Sequence, residues 1–208
     1  MVNLEEDPQR ASQFCFAAQA RLMRRTADLT DSDVLAPSRL PGWTAGHVLT
    51  HLARNADAHA RRLSGALEGH DVPRYPGGSE QRAREIEEGA GRAAAETIAD
   101  LSSSILRLEE MLNLADAAGW PNGHLIGDDH YGVAACPAHR LREVEMHHVD
   151  LGLGYTPADW PEEYVAWDLP VLLATVPERL GSPNEQRSFM AWLAGRGPLA
   201  PETRLADW

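Results

Sequence analysis

Residues 80–118 read EQRAREIEEGAGRAAAETIADLSSSILRLEEMLNLADAA, and their spacing decides the fold class. Ile86, Ala90, Ala94, Ile98, Leu101, Ile105, Leu108, Leu112 and Ala115 recur at intervals of three and four, which predicts one continuous helical stripe. At 1.5 Å per residue, roughly 30 residues of it make a rod of ~45 Å, and so long a stripe needs long partners. Three such partners are at hand. Residues 7–28 carry Ala11, Phe14, Ala18 and Leu22 on one face. Residues 44–67 carry Val48, Leu49, Leu52 and Ala56, with Thr44 placed to cap the first turn. Residues 137–151 have Pro137 in a first-turn position, and Gly152 and Gly154 end them. Four long helices and few segments of period two predict a mainly α protein. The expected architecture is a four-helix bundle, with sites built in the core from side chains on facing helices.

Residues 30–42, 69–78 and 119–136 read as irregular connections, the last a long loop or a short hairpin. After Asp159-Trp160-Pro161 the character changes, which sets a bundle over 1–160 and a short C-terminal subdomain over 161–208. There, residues 162–180 read as a helix interrupted at Pro170 and Pro177. Residues 184–193 read as a second short helix closed by Gly195-Arg196-Gly197-Pro198.

The 208 residues carry 31 acidic and 19 basic side chains, a net charge of −12 that repels phosphate backbones and argues against nucleic acid as a partner. No apolar run is long enough for a membrane span. Residues 1–7 are acidic and lack the basic and apolar regions of a secretion signal. Cys15 and Cys136 are too few for a disulfide framework or a cysteine-rich zinc site, so the expected compartment is a reducing cytoplasm. Every basic residue is arginine, which reads as the mark of GC-rich coding rather than of mechanism.

The chemistry lies with histidine and glutamate. His47 and His51 stand one turn apart on the second helix. Residues 140–150, RLREVEMHHVD, place Glu143 and His147 four apart, and set Asp150 three beyond His147 and His148 three beyond Glu145. A carboxylate and a histidine one turn apart, with a histidine from a facing helix, supply three of four tetrahedral zinc positions. The fourth stays open, as in catalytic sites. Two pairings compete. Leu141, Val144 and His148 share one stripe, whereas Arg140, Glu143, His147 and Asp150 form the polar stripe beside it, which favours Glu143 and His147 over Glu145 and His148. Without a facing histidine, such a Glu–His pair is an ordinary surface pair. His47 reads as a ligand, a partner orienting one, or a substrate contact. Asp150 reads as orienting a ligand histidine or pairing with an arginine, and Asn55 is equally open. Cys136 reads as a buried inert thiol, His124 and His130 as exposed loop residues, and the six tryptophans as packing anchors.

Pro41-Gly42-Trp43-Thr44 followed by residues 46–55, GHVLTHLARN, resembles the N-terminal metal-binding segment of the mycothiol-dependent maleylpyruvate isomerases. These belong to the DinB-like four-helix metalloenzyme superfamily. Residues 142–152, REVEMHHVDLG, resemble that family's metal-binding helix. The resemblance implies a DinB-like bundle in which His51, Glu143 and His147 hold zinc or another divalent metal, with His47 and Asn55 assigned to the cofactor. It extends to residues 82–86, RAREI, and to residues 191–197, AWLAGRG, with the terminal Trp208. It thereby implies that Arg82 and Arg196 hold the carboxylates of an anionic substrate, a task that suits a guanidinium fork.

The implied cofactor is mycothiol, a low-molecular-weight thiol. Bound to metal as its thiolate, it adds reversibly to the cis double bond of maleylpyruvate or a related cis-enoyl acid. Rotation and elimination then give the trans product, with arginines stabilising the enolate. One alternative is mycothiol S-transfer onto an electrophile. Others are a hydrolase using metal-bound hydroxide and a bundle that binds a ligand without catalysis. The family often carries a larger α/β C-terminal domain. Residues 161–208 leave room for a helical or reduced α/β subdomain, which brings S-transfer close behind isomerisation. The expected assembly is a monomer or homodimer.

Overall fold

The computed structural model describes residues 3–121, 123, 131–199 and 205. Among them the chain forms eight α-helices and no strand. The first begins where Asp7 accepts a hydrogen bond from the Arg10 amide at 3.1 Å, opening α1 (Pro8–Thr26) with Pro8 where no amide is needed. Within the connection expected over residues 30–42, Thr30 and Asp33 make a capping box for the short α2 (Asp31–Leu35). Thr44 then caps α3 (Ala45–Leu67), and His47 completes the box, its Nδ1 accepting from the Thr44 amide at 3.1 Å.

The stripe over residues 80–118 is not one rod. It divides into α4 (Gly78–Gly89) and α5 (Ala94–Ala117). Gly89 and Gly91 weaken helix propensity there, and three partners hold the break. Arg92 Nε donates to the Gly89 carbonyl at 3.0 Å. From α2, Asp31 Oδ1 accepts from the Ala94 amide at 2.7 Å and so caps α5 from a distance in sequence. The Ala90 carbonyl comes so near α3 that a Cβ on Gly46 would lie 2.2 Å from its oxygen.

A 3-10 turn over Val133–Ala135 leads into α6 (Cys136–Asp150). Helices α1, α6, α3 and α5 pack in a ring, each against the next, which is the expected four-helix bundle. Its centre is filled by Leu22, Leu49, Leu52, Leu101, Leu108 and Leu141, all fully buried. Burying each such side chain contributes ~1.5–3 kcal/mol. Arg140 is fully buried among them. Its Nε donates to Gln19 Oε1 at 3.1 Å, and its Nη1 to the Leu52 carbonyl and Asn55 Oδ1, both at 2.8 Å. One guanidinium thus ties α6 to α1 and α3.

The described chain divides into two compact units, one over residues 3–164 and one from residue 165 onward. α7 (Glu162–Arg179) keeps helical geometry through Pro170 and Pro177 instead of breaking, each proline removing one ladder hydrogen bond. α8 (Pro183–Leu193) follows. Trp192 on α8 is 43% exposed and so is not the packing anchor expected of it. His124, His130 and Trp208 lie outside the described residues. Among those described, no helix is long and apolar enough to cross a membrane.

Candidate metal centre

The capped start of α3 sets His47 and His51 one turn apart, and α6 presents Glu143 and His147 at the same spacing. Because α3 packs on α6, His51 Nε2 lies 2.8 Å and His147 Nε2 3.5 Å from Glu143 Oε2. One ligand atom from each of the three lies within 4.8 Å of the others. The two imidazole rings meet edge to face with centroids 4.6 Å apart. Behind His147, Asp150 Oδ2 takes the Nδ1 proton at 2.9 Å, so Nε2 is the nitrogen turned to Glu143. The orienting reading of Asp150 is therefore the one the geometry favours.

On the other side, Arg82 Nη2 from α4 donates to His51 Nδ1 at 3.1 Å, and Arg82 also hydrogen-bonds Tyr75. The metal-free His51 therefore carries its proton on Nε2 and donates it to Glu143. Trp43 lies edge-on to His51, with centroids 5.9 Å apart.

Burial dominates the His51 ring and pulls its pKa down to about 4. His147 feels the same burial, but its hydrogen bonds to Asp150 and Glu143 outweigh it and lift the pKa to about 9. For Glu143, burial favours the neutral acid, yet the bonds from His147 and His51 overcome it and hold the carboxyl well below its usual range. At neutral pH the metal-free centre is thus a neutral His51, an anionic Glu143 and a cationic His147. Two imidazoles and a carboxylate suit zinc and several other divalent ions, and one proton stands in the way of such an ion.

The other expected residues have these neighbours. His47 spends Nδ1 on the α3 cap, sets Nε2 at 3.3 Å from Glu87 and stacks on Trp43. It is not among the three converging donors. The rival pair faces α1 instead: Glu145 accepts from Arg21 and Tyr155, and His148 stacks on Tyr155 with centroids 3.9 Å apart. Asn55 is occupied with Arg140. Cys136 is buried beside Arg62, whose Nη1 lies 3.7 Å from its sulfur. Arg196 belongs to the second unit, where it is exposed and donates to the Ala194 carbonyl at 3.0 Å.

Residues 15–152 match the family model of the mycothiol maleylpyruvate isomerase N-terminal domain. The chain belongs to that family. The matched stretch of this mycothiol maleylpyruvate isomerase N-terminal domain takes in His51, Glu143, His147 and Asp150. Two solved structures resemble the chain, one of the mycothiol-dependent maleylpyruvate isomerase and one of a histidine-to-alanine mutant of it. They share 24% and 23% of residues with it, each with a TM-score of 0.73 over 80% of this chain and 70% of the other. At those identities the likeness establishes the fold. No curated protein matches the chain.

Beside the family's helical motifs, two groups near Glu143 escape the reading of the sequence. Tyr75, in the loop before α4, hydrogen-bonds Arg82, and burial raises its pKa. Tyr131 stacks on His139 at 3.5 Å between centroids, with the Arg62 and Arg74 guanidinium carbons 5.0 and 5.5 Å from its ring centre. Neither tyrosine lies in a periodic segment, so no spacing signals it. Arg140 precedes Glu143 by three on the same stripe, a spacing that places it but does not show its burial.

Proposed function

We propose that the protein is a mycothiol-dependent metalloenzyme that isomerises an anionic cis-enoyl acid of the maleylpyruvate kind. His51, Glu143 and His147 hold its divalent ion, zinc being the first choice. The observation that carries this reading is the convergence of those three donors within 4.8 Å, with Asp150 fixing the His147 tautomer, in a chain of this family. When bound, such an ion supplies the Lewis acidity that keeps a cofactor thiol as its thiolate at neutral pH.

The chain's own residues prepare for that chemistry. Glu143 stays ionised and draws both imidazoles to one point. To hold the ion, His147 would need its Nε2 unprotonated, with Asp150 still holding Nδ1. His51 can keep its bond from Arg82 only while Nδ1 is unprotonated. With Nε2 as a ligand atom, the ring proton would sit on Nδ1 and the Arg82 guanidinium would be released. Arg82 is then free to take a substrate carboxylate and to face the negative charge that develops next to it. His47 and Asn55 act through the α3 cap and Arg140. The bundle over 1–160 carries the centre and residues 161–208 a short helical subdomain. Cys15 and Cys136 are buried thiols not joined in a disulfide, which suits the reducing cytoplasm a thiol cofactor needs.

The test replaces zinc with cobalt(II) and titrates mycothiol while recording the absorption spectrum and the turnover of maleylpyruvate. A sulfur-to-cobalt charge-transfer band with formation of the trans isomer supports the reading. The band with conjugation of an electrophile, and no isomerisation, moves the protein to S-transfer. Cobalt d–d bands that mycothiol does not alter overturn the thiol reading in favour of a hydrolase.

A further inference from the structure

α6 carries two adjacent histidines that face different neighbours. His147 turns to α3 and the metal centre, whereas His148 lines a separate cleft against the end of α1. That cleft holds about 470 Å³ and is bounded by Arg21, Arg24, Arg25, Asp28, His148 and Tyr155. We propose that it is a binding site for a phosphate group carried by a small molecule, distinct from the metal centre and independent of it.

Three observations carry the assignment. First, three arginines converge on one cavity in a chain whose net charge is −12, so the local sign opposes that of the whole. Basic residues in a last helical turn suit the helix dipole by themselves, but the dipole does not require a cavity between them. Second, the nearby acids are largely engaged. Glu145 accepts from Arg21 and Tyr155, and Asp159 accepts from Thr156 at 2.8 Å, leaving Asp28 as the one acid against three arginines in the lining. Arg24 and Arg25 make no hydrogen bond or ion pair among the described residues, so their donors face the cleft or solvent. Third, His148 is 2% exposed and its Nε2 is buried without a partner. An unpaired buried nitrogen is costly, and a ligand oxygen would satisfy it. Guanidinium forks match phosphate oxygens in pairs, and the volume exceeds what a bare phosphate fills.

The test is calorimetric titration of the metal-loaded protein with inorganic phosphate and with glycerol 3-phosphate at fixed ionic strength. One saturable site is expected, with the ester bound at least as tightly as phosphate. Arg24→Ser with Arg25→Ser should weaken both by at least tenfold. The two side chains are exposed, so the unfolding midpoint should not move. Arg10→Ser, an exposed arginine outside the cleft, should leave the affinity within about twofold. His51→Ala should also leave it unchanged, because that variant disables only the metal centre. Absence of saturable binding, or equal weakening by Arg10→Ser, overturns the proposal. So does loss of binding in His51→Ala, which would place the phosphate on the metal. Binding of heparin without binding of either small anion would overturn it too, in favour of a macromolecular polyanion.

Discussion

If His51, Glu143 and His147 hold a divalent ion as proposed, metal and proton compete for one nitrogen with a predictable slope. His147 Nε2 must be unprotonated to act as a ligand, yet its pKa in the metal-free protein stands at about 9. Below that value the apparent affinity for a divalent ion should fall about tenfold for each pH unit. At pH 7 the deficit is roughly a hundredfold, or about 3 kcal/mol. His51 adds nothing to the slope above about pH 5, because burial has already brought its pKa down to about 4. Glu143 is ionised throughout.

The stability of the metal-free protein should run the other way. A histidine whose pKa is raised on folding contributes its stability in full below about 6.5 and loses it as pH rises through about 9. For His147 that loss is ~3 kcal/mol by the same conversion. Asp150→Asn separates the two roles of the carboxylate. Without the charge, the His147 pKa drops back towards its ordinary value and the slope between pH 7 and 9 flattens. The loss of orientation still weakens the metal by about 10–100-fold at pH 9. Competition between the protein and a chelator for cobalt(II), read by the d–d bands from pH 6.5 to 8.5 and corrected for the chelator's own protonation, measures the slope. Urea unfolding of the metal-free protein measures the stability. A wild-type affinity that is flat over that range would refute the reasoning, since His147 would then be either neutral or not a ligand.

Gly46→Ala should destabilise the fold by about 2 kcal/mol in urea unfolding. Helix propensity favours alanine by ~1 kcal/mol, but overpacking against a backbone oxygen that a Cβ would meet at 2.2 Å outweighs it. A more stable variant would show that the Ala90 carbonyl does not approach α3 so closely. Thr44→Ala should cost ~1 kcal/mol through the lost cap and leave metal affinity unchanged, because His51 lies beyond the capped turn; metal affinity and urea midpoint check the two halves. Arg140→Leu should cost about 3 kcal/mol, since it strands Gln19 Oε1 and Asn55 Oδ1 at ~1–3 kcal/mol each while relieving a buried charge. A neutral result by thermal unfolding would show that other donors take over those oxygens.

What the sequence makes legible is whatever a helical period fixes. Glu143 and His147 separate from Glu145 and His148 because a step of about 100° per residue puts the two pairs on different stripes, and α6 turns one stripe to α3 and the other to α1. The same period is blind to what each stripe meets. Arg140 shares the polar stripe with Glu143 and His147, a pattern that reads as solvated, yet it is fully buried because Gln19 and Asn55 wait for it on other helices. The division of residues 80–118 is only hinted at, by Gly89 and Gly91, for a related reason. Its apolar positions keep their spacing across the break, and the deciding contacts come from elsewhere, Asp31 reaching the Ala94 amide and Gly46 admitting the Ala90 carbonyl. Tyr75 is harder still, for no repeat governs the loop before α4. Its place is set by tertiary contact, where the Arg74 carbonyl accepts from Arg61 of α3 and Tyr75 itself meets Arg82 of α4. The candidate metal donors sit on helices and can be read in advance. Much of what surrounds them comes from loops and from chain-distant caps, and these exist only once the bundle has closed.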